Sequence, residues 1–240
     1  MDSTKITRPA RRLLRIKRCG AVIVAAGSAS RMGGIDKIMA ELNGEAVIRH
    51  TVRAFQQTDV IQEIIIVTRQ DLIMPIAEAC REFDKVKAVV LGGNTRQESV
   101  NAGLNALSNK VKLAAIQDGA RPLATWQLID RVVRAAHTYS AAAPAIPVKD
   151  TVKLVEGGLV KETPDRARLK AVQTPQVFDI ALLRAALKKA ADEQAQVTDD
   201  CSAVERLGMS VRIVEGDERN IKITTPMDLK IAQLLLEESE

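Results

Sequence analysis

Five short apolar runs, each separated from the next by a helical pattern, restrict this chain more than any other feature. They are Ala21-Val22-Ile23-Val24-Ala25, residues 61–67 with the core Glu63-Ile64-Ile65-Ile66-Val67, and residues 86–91, 112–117 and 141–146. Runs of this length, rich in β-branched residues and lacking polar alternation, suit strands buried on both faces. The intervening segments carry helical spacing, as in residues 46–57, where Val47, Ile48, Thr51, Val52 and Phe55 fall on one side. Strand and helix in alternation imply an α/β fold, Rossmann-like, with a mostly parallel twisted sheet and helices on both faces. In such sheets a ligand lies beyond the carboxyl ends of the strands.

Three loops at that edge are chemically distinctive. The first apolar run breaks into Ala25-Ala26-Gly27-Ser28-Ala29-Ser30-Arg31-Met32-Gly33-Gly34-Ile35-Asp36-Lys37, whose glycines let backbone N–H groups converge on an anion and which holds two cations. It is neither a Walker A loop nor Gly-x-Gly-x-x-Gly, which counts against a nicotinamide dehydrogenase. The third run ends in Gly92-Gly93-Asn94-Thr95-Arg96-Gln97-Glu98-Ser99-Val100, where Thr95 and Glu98 have capping-box spacing and predict a helix start at Thr95. The fourth runs into Asp118-Gly119-Ala120-Arg121-Pro122, an isolated acid at a strand end. Taken alone, Lys37 is a surface lysine and Asp118 a helix cap. Their shared edge favours metal-assisted transfer of a nucleotidyl group, in which the protein positions reactants and neutralises charge on phosphorus.

Composition narrows the partners. The formal charge of +5 resides in residues 1–18, which sum to +6 and leave the rest of the chain at −1. Aromatic residues are few and scattered, so stacking platforms for nucleic acid are lacking and no nucleic-acid partner is expected. Cys19, Cys80 and Cys201 are far apart, with no Cys-x-x-Cys, and support neither a disulfide framework nor a zinc site; a cytoplasmic setting follows as the default. His50 and His137 read as boundary residues of helices. The basic segment before Cys19 resembles the start of a signal peptide, but cleavage there would delete the first strand, so a core strand is favoured. Residues 1–18 then form a basic, disordered extension, with a transit piece as the minor option, and residues 19–240 one domain with no membrane span.

Beyond the fifth run the regular winding stops. Residues 147–171 include two short alternating segments around Glu156-Gly157-Gly158, a β-hairpin whose Val152, Leu154, Leu159 and Val160 lack a core of their own. The hairpin is therefore expected to protrude as a dimerisation arm. Further on, Asp71 is expected to cap a helix reaching about residue 81, and helices are expected over residues 126–138, 179–191 and 227–236, with a late strand at 211–214.

In sequence order, Ala25-Ala26-Gly27 with Arg31-Met32-Gly33 and Lys37, Gly92-Gly93-x-x-Arg96-x-x-Ser99-Val100, Asp118-x-Ala120-Arg121-Pro122, Asp150-Thr151-x-Lys153, Gln173-Thr174-Pro175-Gln176, Thr198-Asp199 and Asn220-Ile221-Lys222-Ile223-Thr224 resemble the 2-C-methyl-D-erythritol 4-phosphate cytidylyltransferases of the non-mevalonate isoprenoid pathway. Each block is weak alone, and the seven in order are specific. The resemblance covers about residues 19–236. It implies a homodimer that joins CTP to 2-C-methyl-D-erythritol 4-phosphate, with Mg²⁺ on the triphosphate. Ala25, Ala26 and Gly27 would hold the triphosphate, Arg31, Lys37 and Lys222 would act in catalysis, and Gly92, Gly93, Asn94, Arg96 and Ser99 would bind the nucleotide. Asp118 would be the metal carboxylate. Arg121, Thr151, Arg166, Thr174, Thr198 and Lys222 would hold the acceptor, with Arg121 reaching across from the partner subunit. The chain departs from the pattern at Asn94, where relatives often have an acid, at Gly119 for alanine, and at Arg219, where relatives often carry Asp and where Asp217 or Glu218 could substitute; the stretch 33–37 is also short. A sister cytidylyltransferase using ribitol 5-phosphate and a non-catalytic nucleotide-binding module are the rival readings.

Overall fold

The computed structural model describes residues 16–27 and 36–238. In chain order its elements are β1 (Cys19–Val24), β2 (Glu41–Leu42), β3 (Glu45–Ala46), α1 (Val47–Gln56), β4 (Ile61–Thr68), α2 (Ile73–Ala79), β5 (Val86–Leu91), α3 (Arg96–Ala106), β6 (Leu113–Asp118), α4 (Trp126–Tyr139) and β7 (Ala141–Pro147). The hairpin β8 (Leu154–Glu156) and β9 (Leu159–Glu162) follows, then β10 (Lys170–Val172), β11 (Gln176–Asp179), α5 (Ile180–Asp192), α6 (Asp200–Arg206), β12 (Arg212–Glu215) and α7 (Pro226–Glu237).

The main sheet has the order β10-β7-β11-β6-β1-β4-β5, with β12 also on β7. β1 pairs in parallel with both β4 and β6, so the run read as a core strand lies in the interior of the sheet. β4–β5 and β7–β12 are parallel as well, whereas β11 is antiparallel to β6 and β7. The mostly parallel α/β fold is thus as expected. Alternation explains the unbroken apolar runs: Ala21 and Ile23 face one core with α1 and α4, and Val22 faces the other with α3 and α5. The stripe on α1 is fully buried, as its spacing requires.

Local departures have local causes. Asp71 caps no helix; it lies in a short 3₁₀ turn and pairs with Arg69 at 2.8 Å. Pro75 sits in the first turn of α2, where its missing N–H costs nothing, so the helix begins at Ile73 instead. A small hairpin joins β2 to β3 through Asn43-Gly44, both at positive φ (49° and 79°), a turn that the sequence reading missed. Residues 16–18, assigned to the extension, are tied to the body: Ile16 packs on the core, Lys17 pairs with Asp179 at 3.2 Å, and the Arg18 carbonyl accepts from Lys112 and Leu113. Residues 1–15 lie outside the described residues. The β8–β9 ribbon turns at Gly157 and Gly158 and leaves Leu159 76% and Val160 60% exposed. Within the chain, then, its apolar residues find no core.

Candidate active site

A crevice of about 410 Å³ opens at the carboxyl ends of β1, β5 and β6. Its floor is the end of β1. The Ala25 N–H donates to the Val67 carbonyl at 2.7 Å, and the Ala25 carbonyl accepts from the Thr68 hydroxyl at 3.2 Å, so Ala25, Ala26 and Gly27 leave the sheet in a fixed direction. Gly92 closes against them: a Cβ there would stand 2.8 Å from the Cβ of Ala26 and from the Ser99 hydroxyl. Only glycine lets the β5 loop approach the β1 loop so closely.

The second wall is the start of α3. Thr95 caps it by accepting from the Glu98 N–H at 3.1 Å, but the reciprocal bond of a capping box goes to Asn94, whose N–H donates to Glu98 at 2.6 Å. The Ser99 hydroxyl accepts from the Gly93 N–H at 3.2 Å and donates to the Thr95 carbonyl at 3.0 Å. Lys37 lines the opposite side. The turn carrying it is held by Asp36, which accepts from the Ile38 N–H at 2.8 Å and pairs with Arg69.

Asp118 is the hub. Its Oδ1 meets Arg96 Nη1 at 2.8 Å, and its Oδ2 meets Lys222 Nζ at 2.9 Å and Arg121 Nε at 3.5 Å. Burial alone would raise its pKa, but Arg96, Lys222 and Arg121 outweigh that and hold it at about 2. It is a carboxylate at any working pH. The Asp118 N–H is fixed by the Thr174 hydroxyl at 3.1 Å. Arg96 Nη2 runs on to Asp200 at 2.9 Å, a carboxylate only 2% exposed, where burial outweighs Arg96 and raises the pKa. Lys222 is brought to the hub because the Ile223 N–H donates to the Ala120 carbonyl at 2.8 Å. Lys37, Arg96 and Lys222 therefore line a cavity with one carboxylate, Asp118, in its wall, while Arg121 and Asp200 pair with that wall from behind. A polyphosphate fits such a field far better than a neutral or cationic ligand.

The family model for 2-C-methyl-D-erythritol 4-phosphate cytidylyltransferase matches residues 19–238. The chain belongs to this family. It is 46% identical over 222 residues to the enzyme of that name from Halalkalibacterium halodurans, covering 91% of this chain and 97% of the relative. It is 43% identical over 225 residues to that from Caldanaerobacter subterraneus, covering 90% and 97%. A crystal structure of 4-diphosphocytidyl-2C-methyl-D-erythritol synthase from Anaerococcus prevotii superposes with a TM-score of 0.83 at 33% identity, covering 92% of this chain and 96% of that one. One of the cytidylyltransferase from Thermus thermophilus gives 0.75 at 32%, covering 90% and 98%. The protein is a nucleotidyltransferase.

In this cytidylyltransferase Ala25, Ala26, Gly27, Lys37, Gly93, Asn94, Arg96, Ser99, Asp118 and Lys222 all face one crevice. Gly92 and Thr174 support it from behind. Within its own chain Arg121 Nη1 donates to the Asn220 carbonyl at 2.6 Å and Nε turns to Asp118. Thr151 and Arg166 lie on the arm, exposed, with Arg166 donating to the Lys149 carbonyl at 2.6 Å. Thr198 is exposed just before the cap of α6. Arg31 and most of the stretch 33–37 lie outside the described residues. Arg219 donates to the Leu235 carbonyl, Asp217 caps its own turn by accepting from the Arg219 N–H at 2.9 Å, and Glu218 pairs with Lys149 at 2.6 Å. Neither acid walls the crevice.

The sequence reading gave no role to Asp200, nor to Gln176, which it named only within a motif. Gln176 is 2% exposed; its Oε1 accepts from the N–H groups of Asp200 and Cys201 at 3.1 Å, and its Nε2 donates to Asp199 at 2.7 Å. The available signal was the doubled acid Asp199-Asp200: one carboxylate caps α6, which leaves the other for a different partner.

Proposed function

We infer that the chain transfers the cytidylyl group of CTP to 2-C-methyl-D-erythritol 4-phosphate, giving 4-diphosphocytidyl-2-C-methyl-D-erythritol and pyrophosphate, a step of non-mevalonate isoprenoid precursor synthesis. Family membership sets the reaction, and the single observation that carries the residue assignment is the convergence of Lys37, Arg96, Arg121 and Lys222 around Asp118 at the open end of the sheet.

The backbone of Ala25, Ala26 and Gly27 receives the triphosphate, and Lys37 and Arg31 offset its charge. The Gly92-Gly93-Asn94 loop and Ser99 take the base and ribose, read mainly by backbone groups because the crevice has no aromatic wall. Asn94 offers a carbonyl oxygen to the cytosine amino group. Lys222, 40% exposed and held by one ion pair, is free to follow the phosphorus under attack as charge builds on its oxygens. The acceptor phosphate is assigned to Thr151, Arg166, Thr174, Thr198 and Lys222, with Arg121 fixing the wall between the acceptor and Asp118.

Among the described residues no group of three or more His, Cys, Asp or Glu could hold a metal by itself. A single anionic carboxylate at the crevice wall still fits Mg²⁺, which commonly takes one or two protein carboxylates and completes its shell with substrate phosphates and water. Asp118 would hold it. Bound there, Mg²⁺ supplies charge neutralisation on the triphosphate.

The exposed apolar face of β8–β9 supports a homodimer through the arm. Three buried free cysteines suit a reducing cytoplasm, and no helix among the described residues is long and apolar enough to cross a membrane. The test is pyrophosphate release from CTP and Mg²⁺ with 2-C-methyl-D-erythritol 4-phosphate or ribitol 5-phosphate as acceptor. Turnover of the first is expected. Turnover of ribitol phosphate alone would transfer the chain to the sister activity, and release with neither would leave only nucleotide binding.

A further inference from the structure

We propose that Asp200 is a positioning residue for transfer: it keeps Arg96 on one oxygen of Asp118 and so reserves the other oxygen for the Lys222 side of the crevice. This rests on the assignment of Asp118 and Lys222 to the reaction. A guanidinium facing one carboxylate tends to take both oxygens through two parallel bonds. Arg96 does not. Its fork is split, with Nη1 on Asp118 Oδ1 at 2.8 Å and Nη2 on Asp200 Oδ2 at 2.9 Å, while Nε is buried without a partner.

Asp200 can hold its half of the fork because it is itself immobile. Its side chain is 2% exposed, and its N–H is fixed by Gln176, which also bonds Asp199. It does not wall the crevice, so any effect on substrate passes through Arg96. Without the negative charge at residue 200, Arg96 would have one strong partner left and two donors, Nε and Nη2, seeking another. Rotation onto both oxygens of Asp118 answers that need and takes Oδ2 from Lys222, now 2.9 Å away. An acid behind the crevice thus sets the free face of the acid in its wall.

The experiment measures steady-state kinetics of full-length protein with CTP, Mg²⁺ and 2-C-methyl-D-erythritol 4-phosphate for wild type, Asp200→Asn, Arg96→Lys and the double variant. Asp200→Asn keeps shape but offers a neutral amide that competes poorly with charged Asp118. The expected result is a fall in kcat of about 10- to 100-fold, the usual cost of losing a residue that orients a ligating group, with each KM within about threefold. In the Arg96→Lys background the same change should cost nothing further, since a residue acting only through Arg96 has no effect once the fork is gone. A kcat for Asp200→Asn within about twofold of wild type, or a double variant lowered by the product of the two single effects, overturns the proposal. Should Asp200→Asn fail to fold, Arg96→Lys alone decides: one ammonium cannot span both acids, so a wild-type kcat there refutes the split fork. Inactive wild type would sink the functional reading, whereas active wild type beside an unaffected Asp200→Asn sinks only the role of Asp200.

Discussion

Replacing Lys222 by alanine tests the site at its most exposed cation. Its Nζ lies 2.9 Å from Asp118, and under the proposed function this ammonium would meet the charge that grows on the reacting phosphorus. A unit charge at about 4 Å, in a medium with an effective dielectric constant of about 20, contributes roughly 4 kcal/mol. Part of that is already present with bound CTP, so the transition state loses about 3–4 kcal/mol, similar to removing one oxyanion donor, or roughly 10²- to 10³-fold in kcat. Folding should hardly change, because a 40% exposed lysine in one ion pair is worth at most about 1 kcal/mol. Pyrophosphate release at saturating CTP and acceptor, beside a urea melt, separates the two effects. A variant that keeps a tenth or more of wild-type kcat would refute the electrostatic role. So would one whose lost activity is matched by lost stability.

Three further perturbations address other parts of the argument. Asp118 has its pKa lowered from 3.8 to about 2, so its ionised form stabilises the native state above pH 4 by roughly 2 kcal/mol, and this is lost as pH falls through 2; Asp118→Asn should cost about that much in metal-free urea unfolding at pH 7 and nearly nothing at pH 2, and an equal cost at both would contradict the pairing. Gly103→Val puts a Cβ 2.2 Å from Val22 and 2.9 Å from Val67, so α3 must lift from the sheet; about 1–3 kcal/mol of stability should go, with kcat falling as Arg96 and Ser99 shift, and an unchanged Tm would show the contact to be soft. Leu159→Glu with Val160→Lys on the arm should leave monomer stability within about 0.5 kcal/mol while shifting sedimentation from dimer to monomer. A dimer that persists would place the interface elsewhere.

The sequence made the sheet legible because burial on both faces leaves a plain trace: the Ala21–Ala25 and Ile64–Val67 runs have no polar alternation, and each feeds two cores. The crevice was legible for a related reason. Ala25-Ala26-Gly27 and Gly93-Asn94 follow strands and Asp118 ends one, and parallel strands deliver such segments to one edge. Direction was not legible. Arg121 turns inward because the Asn220 carbonyl, 99 residues away in sequence, accepts from it, and no local pattern encodes that bond. Asp200 meets Arg96 across 104 residues for the same reason. The Asn43-Gly44 turn is different in kind, since Asn-Gly is a strong local signal, and it was hidden by the shortness of the strands it joins.

The distribution of charge also explains which part of the crevice can respond to a ligand. Cations gathered at one crevice repel one another, and Asp118 and Asp200 are counterions to three of them, Arg96, Arg121 and Lys222. Once a triphosphate arrives, that duty is shared, and some cation must exchange a carboxylate for a phosphate oxygen. Arg96 is braced between two acids, and Arg121, 12% exposed, is pinned by a carbonyl and Asp118. Among the described residues Lys222 has one ion pair, with a flexible stem and 40% exposure. Of these three it is the cation that can exchange partners at least cost, so on the proposed assignment the two arginines would hold Asp118 still while Lys222 moved between that carboxylate and the phosphate.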